Sequence, residues 1–341
     1  MMTPAGARPR RLVFAGEALV DVVMRVPALP PRGGDILATS SEVAVGGGFN
    51  VMAAAARQGL PVVYAGGHGT GPWGELVRAA LAAEGIELLR ARDPAQDTGF
   101  DVALVESDAE RTFVTSLGAE SISAPGSWDA VPAGPGDAVY VSGYGLVAPG
   151  SGAVLGAWAA ALPPGALLFL DPGPLAAQIP EPVLDPVLAR CDWLSCNARE
   201  GALLSGGAAP AEAARRLLAR TTRADVIVRA GPDGCFLALR PRADHGAPPA
   251  PVPIPAPAVT AVDTTGAGDA HSGVFLAALA EGLSPADAAR RANAAAALAV
   301  TRPGPATSPP RAELDAWLAR TERPANPDGE RRDGERRDGE R

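Results

Sequence analysis

Cysteine is scarce. The 341 residues include three, Cys191, Cys196 and Cys235, with neither paired disulfide spacing nor a C-x-x-C metal motif. A disulfide scaffold and a thiolate metal site are thereby disfavoured, and reduced thiols in a cytoplasmic enzyme are the expectation. An excess of positive charge is also missing: 30 Lys and Arg face 38 Asp and Glu, a net charge of −8. Nucleic acid is not an expected partner, since its phosphates require a basic face. Phosphorylated small molecules stay open, because local dipoles hold them. No uncharged apolar run approaches the ~20 residues that a membrane helix needs. The apolar stretch after the basic start carries Glu17 and Asp21, which speaks against a signal peptide.

Hydrophobic residues make up 47%, enough for a sizeable core in one large α/β domain or two small ones. Short apolar runs at Arg11–Ala15, Val62–Ala65, Ala138–Ser142, Leu167–Asp171, Trp193–Cys196 and Val226–Arg229 read as strands. Between them Asn50–Gln58, Trp73–Glu84, Ala153–Ala161 and Ala211–Ala219 read as helices. This alternation, with strands that are continuous apolar runs, implies a parallel sheet covered on both faces. Asp35–Val45 and Phe100–Ser116 instead alternate apolar with polar residues and read as strands of a small accessory sheet. Pro241–Pro257 reads as a surface connection with one short strand. The folded domain is expected over residues 11–320, with lid segments near 17–45 and 97–118. The repetitive, charged segment from Thr321 has little to bury and reads as a disordered tail.

The strongest chemical signal is Asp263-Thr264-Thr265-Gly266-Ala267-Gly268-Asp269 before a helical pattern over Ser272–Glu281. Small residues at Gly266, Ala267 and Gly268 let backbone amides approach an oxyanion, and a helix start adds unpaired N–H groups and a positive dipole end. That arrangement suits a transferring phosphate, with the Asp269 carboxylate in the same turn. A Gly-rich turn with a first-turn acid is the structural alternative. Gly46-Gly47-Gly48-Phe49-Asn50, before a helix starting near Val51, would let a ligand approach, Asn50 offering donor and acceptor; plain punctuation with Asn50 as a cap is equally open. Asp21 reads as the end of the first apolar strand, where α/β ligand sites form, or as a solvated acid. Asn197-x-x-Glu200 after Trp193–Cys196 could order metal-bound water.

The order of these elements, with an early Gly-Glu and V-R-A-G-P-D-G at residues 228–234, resembles the ribokinase-like carbohydrate kinases of phosphofructokinase B type from about Leu12 to Pro309. The resemblance implies a ribokinase-like fold: a mostly parallel sheet, helices on both faces, and a small β-sheet lid. It implies Asp269 as catalytic base, Gly266, Ala267 and Gly268 as anion hole, and Asp21, Gly47 and Asn50 as sugar-binding positions. Asn197 and Glu200 would organise Mg²⁺ and phosphate. Arg229, Gly231 and Gly234 would lie beside ATP, and Asn293 near its adenine. Asp263, Thr265, Gly304 and Ser308 would surround a monovalent cation such as K⁺. The chain departs from the pattern at His271, where a Phe is frequent, and at Gly71, which replaces an acid.

The expected reaction is in-line transfer from ATP to a hydroxymethyl group of a small sugar, under a lid that excludes water and through which a homodimer could form. A nucleoside is the alternative substrate, mildly disfavoured by an aromatic content of 4%. A non-catalytic sugar binder would not need the intact DTTGAGD. A dinucleotide oxidoreductase is disfavoured because no G-x-G-x-x-G follows the first strand.

Overall fold

The computed structural model describes residues 8–107, 110–241 and 249–321. Its strands are β1 (Arg11–Ala15), β2 (Ala18–Arg25), β3 (Ser40–Gly47), β4 (Val62–Tyr64), β5 (Glu87–Leu88), β6 (Phe100–Val105), β7 (Arg111–Ser116), β8 (Asp137–Ser142), β9 (Leu167–Asp171), β10 (Trp193–Asn197), β11 (Asp225–Arg229), β12 (Cys235–Ala238) and β13 (Val252–Ile254). The α-helices are α1 (Phe49–Arg57), α2 (Pro72–Ala83), α3 (Gly143–Val147), α4 (Ser151–Ala160), α5 (Glu181–Arg190), α6 (Ala198–Ser205), α7 (Pro210–Arg220), α8 (Ala267–Glu281), α9 (Pro285–Ala299) and α10 (Arg311–Thr321).

Nine strands form one sheet in the order β13-β12-β11-β10-β9-β8-β1-β4-β5, parallel from β11 through β5, with β12 and β13 antiparallel. Both faces are buried, and alternate residues of β1 show it. Leu12 and Phe14 join the core under α1, α8 and α9, while Val13 and Ala15 join the core under α4, α5 and α7. The chain winds outward from β1 in both directions, so the carboxyl ends of β1 and β8 flank a topological switch point, where α/β sheets bind ligands.

The second sheet has the order β3-β2-β6-β7. It corrects two expectations. Asp21 does not end the first core strand: that strand stops at Ala15, the chain turns at Gly16-Glu17, and Asp21 lies midway along β2 in the lid. The accessory strand expected from Asp35 starts at Ser40, and the proline-rich approach to it stays irregular. Helix α1 starts at Phe49 with Gly48 as its N-cap, so Asn50 is inside the first turn rather than capping it. The expected short strand in the proline-rich connection is β13. Thr321 ends α10, and the charged tail after it lies outside the described residues.

The lid is braced where it joins the core. Buried Glu120 accepts hydrogen bonds from Gly99 N and Gly118 N, both at 2.7 Å, tying the bases of β6 and β7 together. Asp97, just before β6, accepts from Trp73 N (3.1 Å) and Gly74 N (2.7 Å) and thereby caps α2. This accounts for Gly71. Its φ is +139°, and a Cβ there would stand 2.5 Å from Asp97 Oδ2, so an acid reaches this cap from residue 97 and not from 71.

Helix α8 runs through the core, buried almost continuously from Ala270 to Ala278. It meets α1 at Gly273, where an added Cβ would come within 2.4 Å of Val51 O and 2.7 Å of Ala54 Cβ. Gly273→Val should therefore destabilise the protein by about 1–3 kcal/mol, the range for overpacking a tight core. The expected readout is a lower urea midpoint at unchanged slope; an unchanged midpoint would mean that the two helices part freely.

Candidate active site

The site lies where the lid faces the carboxyl ends of the central strands and the start of α8. Gly266 has φ +72° and ψ 5°, the left-handed conformation a side chain resists, and it caps α8 so that Ala267, Gly268 and Asp269 form the first turn. Within the turn Ala267 N donates to Thr264 O at 3.3 Å. Gly268 has the Arg229 guanidinium against it: a Cβ there would be 3.4 Å from Arg229 Cζ.

Asp269 receives Asn50 Nδ2 on its Oδ2 at 3.0 Å, while Asn50 Oδ1 is buried without a partner among the described residues. Loss of water raises the Asp269 carboxyl to about 6, against the opposing effect of Asn50; Asp171 adds to the rise and Arg229 offsets it. Asp21 sits directly over Gly46, whose absent Cβ would otherwise be 2.1 Å from Asp21 Oδ2. Burial, then the charges of Asp101 and Asp269, push Asp21 up to about 7. Gly47, with φ +59°, turns the chain from β3 toward α1. Glu17 at the switch point accepts from Ser142 Oγ at 2.8 Å, and burial raises it to about 7.

Arg229, at the end of β11, donates through Nη1 to Asp171 Oδ2 (2.9 Å), Ser195 Oγ (2.8 Å) and Ser272 Oγ (3.1 Å). Its Nη2 lies 3.7 Å from Glu200 Oε2. Asn197 and Glu200 form a reciprocal capping box on α6: Asn197 Oδ1 accepts Glu200 N, and Glu200 Oε2 accepts Asn197 N. Asn197 Nδ2 also donates to Glu200 Oε1 at 2.8 Å. Burial lifts Glu200 to about 7, with Asp171 adding to the rise.

Gly231 and Gly234 have φ of +59° and +90° in the turn from β11 to β12, and a Cβ on Gly234 would meet Ile254 O at 2.1 Å. Asn293 on α9 spends its amide on Ile254 O (2.8 Å) and Pro255 O (3.3 Å), anchoring β13. Asp263 gathers Thr265 N (2.9 Å) and Thr265 Oγ1 (2.7 Å) on Oδ1, and Gly304 N (3.1 Å) on Oδ2. Ser308 Oγ is buried and without a partner among the described residues. His271 is buried near Phe275, ring centroids 6.3 Å apart; burial, with the field of Arg229, pushes it down to about 3 and keeps it neutral.

The structure thus brings Asp269, Asn50, Gly266 and Gly268 together, places Arg229 and Glu200 behind them, and sets Asp21 opposite in the lid. Sequence reasoning passed over Asp171, Glu17, Asp101 and Arg111. Asp171 and Glu17 carried a signal, an acid at or just after a strand's carboxyl end. Arg111, on lid strand β7, reaches the hydroxyls of Thr264 and Thr265 and stands 3.5 Å from Asp263 Oδ1. Only its place in an alternating strand hinted at that inward aim.

Among the described residues no helix is long and apolar enough to cross a membrane. A family model described as pfkB family carbohydrate kinase matches residues 9–312. The chain is 35% identical over 313 residues to the uncharacterized sugar kinase YegV of Escherichia coli K12, covering 89% of this chain and 92% of that one. It is 30% identical to a fructokinase of Klebsiella pneumoniae, covering 78% and 83% of the two chains. The structure of Arabidopsis thaliana ribokinase complexed with ribose and ATP superposes with a TM-score of 0.72 at 25% identity, covering 91% of this chain and 99% of that one. Fold, motif order and sequence agree: this chain belongs to the pfkB family of carbohydrate kinases.

Proposed function

We propose that the chain transfers the γ-phosphoryl group of ATP to a hydroxymethyl group of a small sugar, with Asp269 as general base. The observation that carries this reading is a raised carboxylate in the first turn of α8, behind a left-handed glycine and held by Asn50. A hydroxyl placed against Asp269 can give up its proton as it attacks, a task suited to a base whose value lies near working pH. The amides of Gly266 and Gly268, with the start of α8, would face the charge on the transferring group, and that of Ala267 would join them on giving up its long contact with Thr264 O. Arg229 behind Gly268 adds positive field. The ribose and ATP named for the Arabidopsis ribokinase structure support a sugar and ATP here. The polar pair Asp21 and Asn50 favours a sugar over a nucleoside.

Glu200 and Asn197 already bond each other, so they suit a water-ordering role around Mg²⁺ better than direct ligation, in keeping with that ion's retained waters. Bound Mg²⁺ would neutralise charge on the phosphates. A monovalent cation would be held at Asp263, kept low and ionised by Thr265, Gly304 and the charge of Arg111 despite partial burial, and at Ser308 Oγ, which has no partner among the described residues. It would have to share Asp263 with the Arg111 guanidinium 3.5 Å away. A cation there would stiffen the loop leading into the anion hole. The lid's outer face carries a row of valines, Val43, Val22, Val102 and Val114, in register across its four strands. Val43 is 51% and Val114 64% exposed, and we propose that a second copy covers them.

Asp269→Asn should lower turnover by about 10²–10⁴, the usual worth of a positioned base, with the KM for ATP unchanged. In the wild type kcat/KM should fall as pH drops through about 6, where Asp269 takes up its proton. Stability gives the opposite sign. A raised carboxyl stabilises the fold fully below its unfolded value of 3.8 and loses that contribution as pH rises through about 6. Asp269→Asn should therefore melt above wild type at pH 8 and level with it near pH 4. Turnover within a few-fold of wild type would remove Asp269 from the mechanism. Potassium should raise activity over tetramethylammonium, and Ser308→Ala should blunt that response; equal rates in both salts would dismiss the cation. Val114→Glu should convert a dimer to a monomer in light scattering, and a wild type that is monomeric at micromolar concentration would refute the lid interface.

A further inference from the structure

Between the lid's inner face and the loop before α8 is a cavity of about 210 Å³; the lid side brings Asp21, Ala103 and Val105 together with Arg25 and Arg111, and the core side brings the loop around Asp263. Strands β2 and β6 run parallel with Asp21 opposite Asp101. Partners in register leave the same face of a sheet. Ala103 and Val105 are two and four residues beyond Asp101 and line the cavity, so Asp101 belongs to that inner face as well.

Two carboxylates side by side in a half-buried place call for a cation or for hydrogen-bond donors. The lid's arginines line the same cavity but at its other end. Arg111 is turned to Thr264, Thr265 and Asp263, and Arg25 stands at the far end of β2 in register with Val105, four residues along from Asp101. Asp101 Oδ1 is buried with no partner among the described residues, and so is Asn50 Oδ1, on a residue only 5% exposed. The core-side charge felt by Asp21, that of Asp269, is also negative. Burial raises Asp101 to about 6, and the Asp101 charge in turn helps raise Asp21, which places the two within each other's field. The Asp21–Asp101 end of the cavity is therefore rich in acceptors, and the two arginines that line the cavity stand at its other end, in register with Val105.

We infer that Asp101 is a specificity-determining residue: paired with Asp21, it selects a sugar whose lid-facing end presents only hydroxyl or amine donors, and it rejects sugars bearing a carboxylate or phosphate there. The inference rests on the sugar-kinase reading and names its substrate class. Acceptors facing a hydroxyl or an ammonium are satisfied, whereas an acid brought to them adds a like charge and no donor. Built-in repulsion of this kind is how sites discriminate among shapes they would otherwise hold equally.

The test pairs ADP release with sugar-induced shifts of melting temperature. The probes are D-ribose, D-fructose, D-glucosamine, D-gluconate, D-glucuronate and D-fructose 6-phosphate, applied to wild type, Asp101→Asn and Asp101→Ala. Wild type should bind and use neutral or amino sugars and ignore the acidic ones. Both variants should narrow the ratio of kcat/KM between neutral and acidic sugars by at least about tenfold, the worth of one charged hydrogen-bonding group, mainly through KM for the sugar and with KM for ATP unmoved. Circular dichroism keeps folding separate, and Asp101→Ser substitutes for a variant that fails to fold. If wild type uses acidic sugars as readily as neutral ones, or if the ratio is the same in the variants, Asp101 does not set specificity while the kinase reading survives. If neutral sugars raise the melting temperature in wild type, less so in the variants, and none prompts ADP release, the selection by Asp101 stands and phosphoryl transfer fails.

Discussion

Arg229 is the charge around which the core side of the site is organised. Three carboxylates, Asp171, Glu200 and Asp269, converge on the carboxyl ends of the central strands and the start of α8. Burial alone would pull the guanidinium down, but Asp171 and Glu200 more than offset this and hold it charged. With Ser195 and Ser272 it makes a network in which every donated hydrogen bond ends on a fixed side chain. Removing one partner from such a buried set costs far more than the set contributes net, because it strands the others. The arrangement therefore specifies geometry more than it adds stability, and what it specifies is the position of a cation against Gly268.

Backbone proximity is the second constraint. Gly46 admits the Asp21 carboxylate, Gly268 admits Arg229, and Gly266 lets the chain enter α8 in a conformation other residues resist. In each case the missing side chain makes room for a charged group or a backbone turn at the site.

How much of this was legible in the sequence depended on how local the signal was. The six central strands and α1, α2, α4 and α7 were read to within one or two residues, because burial on both faces leaves unbroken apolar runs, whereas α3, α5 and α6 were passed over. The start of α8 was legible for the same reason, its glycines and acid being contiguous. Asp21 was placed in the wrong strand because Val20 and Val22 continue the apolar run of β1 across a break at Gly16-Glu17 that composition scarcely marks. Asn197 and Glu200 looked like metal-site residues, yet their spacing is also that of a capping box, and the structure has them bonded to one another. Asp101 and Arg111 were invisible as site residues. Their places at the site come from register between strands about eighty residues apart in the one case, and from a contact across more than 150 residues in the other. Periodicity within a single strand carries neither.

The braces formed by Glu120 and Asp97 have a mechanical corollary. With the bases of β6 and β7 pinned by one buried carboxylate and α2 capped from the residue just before β6, the hairpin cannot bend at its root without breaking charge-assisted hydrogen bonds. The four-stranded sheet is then a stiff plate, and motion that admits or releases a substrate must pivot elsewhere. The connections into and out of the other two strands remain, at Gly16-Glu17 and Gly46–Gly48. Those same glycines lie beside Asp21 and Asn50, so on the proposed sugar-binding role of that pair, turning the plate and letting go of its cargo would be a single movement.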